Sequence, residues 1–157
     1  MATTRLETIL TALQTALKTI NGAGSFNYNL QNRVLFLTVT KSGDQISVNT
    51  VRERPSAEIL IDSIGDITHE TCGECEVPFV LRIDFLLSGT ISETNIAKAW
   101  ADVRRAVYAA PELSTGVHNL QLSMVRFDQG GEFQIIDGAR FLLSGAYSES
   151  FGDPDNG

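Results

Sequence analysis

Between Val77 and Leu87 the chain places an apolar residue at every second position: Val77, Phe79, Leu81, Ile83, Phe85 and Leu87. Successive side chains of a strand point to opposite faces, so this spacing commits one face of a sheet to a buried core. Val80, Arg82, Asp84 and Leu86 face the other way. A slip of one residue would turn the whole apolar set towards water. Residues 77–89 are therefore the strand around which everything else must be arranged.

Two stretches change to a helical period. In residues 4–20, Leu6, Ile9, Leu10, Leu13, Leu17 and Ile20 recur at steps of three and four, which puts them on one helix face. Thr4 followed by Glu7 is a capping-box pair, and Gly22 and Gly24 stop the helix. In residues 92–109, Ile96, Trp100, Val103 and Val107 form the apolar stripe, with Ser92 or Thr94 as N-cap. The regular spacing makes Trp100 a core anchor. Pro111 follows soon after the helix end.

The remaining apolar runs read as strands. Val34 to Thr40 is rich in β-branched and aromatic residues, Lys41-Ser42-Gly43-Asp44 is a turn, and Ile46 and Val48 mark a half-buried return strand. Arg52-Glu53-Arg54-Pro55 interrupts the pattern, and Ala57 to Ile61 resumes it. Residues 62–76 are polar and acidic, with Gly65 and Gly73, and read as a long loop or an extended β-arm. Asn119 to Asp128, a turn at Gln129-Gly130-Gly131, Phe133 to Asp137 and Ala139 to Tyr147 read as a meander. The order predicts an α+β fold, an antiparallel or mixed β-sheet with two α-helices packed on one face. Residues 1–147 are expected to form one domain, and 148–157 a flexible acidic tail. The run Phe85-Leu86-Leu87-Ser88-Gly89 recurs as Phe141-Leu142-Leu143-Ser144-Gly145, and both copies are expected to end a strand.

Charge limits the partners. The net charge is -7, and Asp62, Asp66, Glu70, Glu74 and Glu76 form one acidic stretch without a base. Glu149, Asp153 and Asp155 form a second, so the remainder is close to neutral. Gripping nucleic acid needs clustered Lys and Arg to displace counterions, so stable DNA binding is disfavoured, whereas DNA sliding past an acidic wall is compatible. No apolar run approaches the roughly 18 residues of a membrane span. Met1-Ala2-Thr3-Thr4-Arg5 does not open a charged-then-apolar leader, so the expected compartment is the cytoplasm, or that of a host.

The chemistry-bearing motifs are few. Cys72 and Cys75, the two cysteines of the chain, form a Cys-x-x-Cys. Redox enzymes place this spacing at a helix N-terminus to stabilise the thiolate, a context absent here, and Glu70, Glu74 and Glu76 would raise a thiol pKa. His69 extends the motif to a metal-like spacing, with His118, Glu70 or Glu76 as further ligands, but a structural zinc site needs about four ligands. A local disulfide or two idle thiols fit as well. Phosphate-loop and nucleophile-elbow motifs are absent from the sequence. Arg52, Arg54, Arg104 and Arg105 read either as solvated or as partners for acids of a neighbouring subunit. The expected protein is not an enzyme and carries no cofactor.

Taken in order, the capped N-terminal helix, the bend Val51-Arg52-Glu53-Arg54-Pro55, the strand Val77 to Leu87, the helix Ala99-Trp100-Ala101-Asp102-Val103-Arg104-Arg105-Ala106-Val107-Tyr108 and the closing Phe141-Leu142-Leu143-Ser144-Gly145-Ala146-Tyr147 resemble the tail-terminator (tail-completion) proteins of long-tailed bacteriophages. The resemblance spans most of the chain, from Arg5 to Tyr147. It implies a homo-hexameric ring on the end of the tail tube, assembled in the host cytoplasm, that stops tube growth and offers a surface to a neck or connector protein while DNA passes through. The four arginines would then serve subunit or tube contacts, and Asp62, Asp66, Glu70, Glu74 and Glu76 an acidic bore or docking surface. The alternatives are another neck or head–tail connector protein, a thiol or metal protein built on Cys72 and Cys75, and a small regulatory binding domain.

Overall fold

A computed structural model describes residues 4–42, 45–49, 53–71, 73–88, 91–125 and 138–150, with the backbone alone for 38–42, 45–49 and 68–71. Helix α1 (Arg5–Lys18) starts as its sequence dictates. The Glu7 amide donates to the Thr4 hydroxyl at 3.2 Å, and the Thr4 amide donates to the Glu7 carboxylate at 2.8 Å. Its buried face is Ile9, Leu13, Ala16 and Leu17, and Ile20 is buried just beyond. Strands β1 (Val34–Phe36), β2 (Thr38–Ser42), β3 (Gln45–Asn49), β4 (Ser56–Ile64), β5 (Thr68–Thr71) and β6 (Glu74–Leu86) follow. Helices α2 (Glu93–Ala109) and α3 (Pro111–Gly116) precede the closing pair β7 (His118–Val125) and β8 (Gly138–Ser150).

The main sheet runs β1-β4-β6-β8-β7, with β5 paired to the start of β6. Strand β8 accompanies β6 along its whole length, from Glu74 opposite Ser150 to Leu86 opposite Gly138. Only β1 runs parallel to its neighbour, β4; the other pairings are antiparallel. Parallel neighbours need a crossover connection. Here it carries the separate β2–β3 hairpin. The fold is thus α+β with a mixed sheet.

Helix packing selects one parity of β6. Val77, Phe79, Leu81, Ile83 and Phe85 are buried together with Ala57 and Ile59 of β4, Phe141 and Leu143 of β8, and the inner faces of the helices. The Tyr28 ring meets Phe85 edge-on at 5.4 Å, and Trp100 packs on Phe141 at 5.9 Å between centroids, the anchoring role its spacing predicts. Each fully buried side chain of this size stabilises the fold by about 1.5–3 kcal/mol relative to exposure. Among the described residues no helix is long and apolar enough to cross a membrane.

Several expectations are corrected. A third helix, α3, follows where two are expected: Pro111 fits the first helical turn, where a missing N–H costs nothing. The run from Val34 to Thr40 is two strands: β1 pairs with β4, the Leu37 amide makes a last bond to the Ile59 carbonyl at 2.9 Å, and from Thr38 the chain pairs with β3 instead. Of the two readings of the acidic stretch, the β-arm is the one seen: β4 and β5 flank β6 in succession, with Gly65 donating to the Pro78 carbonyl at 2.8 Å between them. A Cβ on Gly65 would crowd the Pro78 ring at 2.9 Å. Ser148 to Ser150 belong to β8, paired with Glu76 to Glu74, so the sheet continues past the expected start of the tail. The repeated Phe-Leu-Leu-Ser-Gly run ends β6 in its first copy, but its second copy lies inside β8, where Gly145 makes room for the Val117 side chain. The turns at Gly43-Asp44 and Gln129-Gly130-Gly131, the segment Phe133 to Asp137, and residues 151–157 lie outside the described residues.

Candidate interaction surfaces

Two buried carboxylates organise polar contacts that the sequence does not announce. Asp102, on the inner face of α2, is fully buried. It accepts from the Asn27 amide at 2.8 Å, the Asn27 side chain at 2.8 Å and the Tyr28 amide at 2.9 Å. The loop between α1 and β1 is thereby stapled to α2. Burial, with Asp102 adding to it, raises the Tyr28 phenol above its ordinary pKa, and its hydroxyl donates to the Asn95 carbonyl at 3.1 Å. Asp84 lies on the opposite face of the sheet, where Arg140 bridges it through two bonds of 2.6 and 3.0 Å and Arg82 approaches at 3.2 Å. These groups tie β6 to β8.

The four arginines expected to act alike do not. Arg105, though exposed, has contacts within the chain: it donates to the Ser25 carbonyl, stacks over the Phe26 ring at 5.6 Å, and lies 3.8 Å from Asp102. Arg54 reaches the Leu87 carbonyl at 3.4 Å. Arg104 is exposed on α2, and Arg52 lies outside the described residues.

The acidic residues are strung along the arm. Asp62 and Asp66 are exposed, Glu74 is exposed at the start of β6, and Glu76 is half-buried. For Glu70 and His69 only the backbone is described, with His69 opposite Cys75. Cys72 lies outside the described residues. Cys75 is a free, buried cysteine whose thiol sits 3.5 Å from the Glu149 carbonyl. Burial, and then the Glu149 charge, push its pKa up, the opposite of what an attacking thiolate needs. The His118 ring lies 3.3 Å from the Ser148 hydroxyl, and Ser148 is the register partner of Glu76. Among the described residues no group of three or more His, Cys, Asp or Glu side chains is gathered to hold a metal.

What the structure does gather is exposed apolar surface at the sheet margins. At one margin stand Leu35 and Phe36 of β1, Ile61 and Ile64 of β4, and Ile67 just beyond. At the other stand Met124 and Val125 of β7. The remaining large exposed apolar side chain, Tyr108 of α2, belongs with the second margin, since its hydroxyl accepts from the Leu122 amide of β7 at 3.3 Å. Neither β1 nor β7 has a strand on its outer side among the described residues. Open edges with apolar side chains are sites for pairing with another chain. Sequence periodicity misses these margins, because alternation marks which face is buried and says nothing of where a sheet stops. Comparison of the sequence with protein-family models and with curated proteins gives no match.

Proposed function

We propose that this chain is the protomer of a phage tail-terminator ring, a structural virion protein that caps the tail tube and joins it to the head. One observation carries the reading beyond the sequence resemblance: the exposed apolar residues stand at two opposite margins of one sheet. A protomer with two different sticky margins associates head to tail, and such heterologous contacts close into a ring when the rotation per copy sums to a full turn. A symmetric dimer would need only one such surface. The acidic arm supports the same reading, because a ring that lets DNA through gains from an exposed carboxylate such as Glu74 that repels phosphate. The partners are other copies, a hexamer in this reading, with the tube protein below and a neck or connector protein above.

The test is to remove the chain from the virion that encodes it and examine the tails by negative-stain microscopy. Tubes of uncontrolled length without heads are expected. Tubes of normal length would overturn the reading. Rings recovered with the head, while tubes end normally, would move the protein to the neck.

A further inference from the structure

The two margins differ in charge as well as in shape. Strand β4 is buried over Ser56 to Ile59 and exposed from Ile61 to its end. The cover ends because β1 stops at Phe36, opposite Ile59. From there every residue of 61–67 is exposed, and the stretch presents Ile61, Ile64 and Ile67 at 43%, 51% and 51% beside Asp62 and Asp66. It contains no base. Three isoleucines whose only charged neighbours in 61–67 are Asp62 and Asp66 call for a partner surface that is apolar and basic. The chain carries such a surface at its other end. Arg104 is exposed one helical turn before Tyr108, which is 50% exposed and tied to β7, where Met124 is 42% exposed. Residues four apart on a helix share a face, so the cation and the ring are neighbours.

We infer that the 61–67 margin of one copy seats against the Arg104–Tyr108–Met124 margin of the next, a second copy of this chain being the occupant of both. The inference rests on the ring reading and names its subunit contact. Asp62 or Asp66 pairs with Arg104 at the rim, and the isoleucines cover the Tyr108 ring and Met124. The two surfaces belong to opposite ends of the sheet order, so a copy cannot satisfy itself, and each contact leaves one of each margin free for the next copy. Exposed charge pairs are screened by salt while apolar cover is not. Salt therefore weakens the contact without abolishing it.

The experiment uses two full-length variants with one margin spoiled in each. Ile64→Asp with Ile67→Asp removes the first margin; Arg104→Glu with Met124→Asp removes the second. All four positions are exposed, so far-ultraviolet dichroism is expected to match the parent chain, and each variant is expected to melt cooperatively, below the parent only by what assembly contributes. Light scattering coupled to size exclusion is expected to give a closed oligomer for the parent, a monomer for each variant, and a one-to-one dimer that grows no further when the two are mixed. That stop at a dimer is specific to a head-to-tail contact. A charge exchange, Arg104→Glu with Asp62→Arg and Asp66→Arg in one chain, is expected to restore the oligomer lost in Arg104→Glu alone. Oligomers unmoved by either variant would overturn this contact and leave the ring reading standing. A parent chain that stays monomeric at every concentration would overturn the contact too, and tube length in the virion would then decide the ring reading by itself.

Discussion

The two halves of β4 carry similar side chains and meet opposite fates. Ile59 is 1% exposed and Ile61, two residues on with the same parity, is 43% exposed. Both pair with β6, Ile59 opposite Ile83 and Ile61 opposite Leu81. The difference lies outside the strand: β1 flanks Ile59 and ends there. Burial is a property of the neighbours, and an apolar residue without them is surface waiting for something else to cover it. The largest expected effect tests this directly. Ile59→Ala should cost about 2–5 kcal/mol, since it removes buried methyl groups and leaves a cavity. Ile61→Ala should stay within about 0.5 kcal/mol in the isolated chain, as surface changes do. Denaturant melts of the two variants measure both. Measured in the monomeric Arg104→Glu, Met124→Asp background, equal losses would mean that Ile61 is covered by its own chain, and the margin would lose its meaning.

Acids divide along the same line. Asp62 sits in water at the uncovered end of β4, whereas Asp102 sits under the helices with three close donors from the loop after α1. Asp102→Ala should cost about 2–3 kcal/mol, because it strands part-buried donors, each worth up to about 1–3 kcal/mol, with water relieving those of exposed Asn27. Asp62→Ala should cost almost nothing in the same melts. Asp102→Asn keeps an acceptor oxygen and should fall between them. Should Asp102→Ala melt like the parent chain, the loop is not held by this carboxylate.

The sequence carried the covered half of this molecule well and the uncovered half poorly, for a physical reason. Alternation in Val77 to Leu87 and the three–four spacing of Ile9, Leu13 and Leu17 exist because those side chains must meet a core, so the pattern records the burial. The Thr4–Glu7 capping box is local and was equally readable. Contacts closed over long separations leave no local trace. Asp102 to Asn27 spans 75 residues and Asp84 to Arg140 spans 56, and an acid among alanines and valines on α2 looks like any solvated helix position. Helix α3 is too short for a period, and Pro111 was its one signal. Of the arginines expected at an interface, Arg105 stays exposed while also meeting Asp102 and Phe26 of its own chain, contacts no count of charges could foresee.

The smallest effect concerns the far end of the arm, where β6 and β8 outrun β4. This end is also covered on one side: Cys75, Val77 and Tyr147 are 3%, 2% and 5% exposed. If that cover holds in solution, the Cys75 thiol must keep its proton to a higher pH in the folded chain than in the unfolded one, since burial and the Glu149 charge both disfavour the thiolate. The unfolded thiol ionises near its ordinary value of about 8.5. Below that pH both states are protonated and the thiol makes no difference to the pH slope. Above it the folded state holds a proton that the unfolded state has released, so stability falls as pH rises. Cys75→Ser lacks this titration. The stability of the parent chain minus that of Cys75→Ser should therefore be flat up to about pH 8 and decline beyond it. The raised Tyr147 phenol titrates in both chains and at higher pH, so the early decline belongs to the thiol. A difference that stays flat through pH 10 would show that water reaches Cys75, and the arm would then resemble the open half of β4 instead of its covered half.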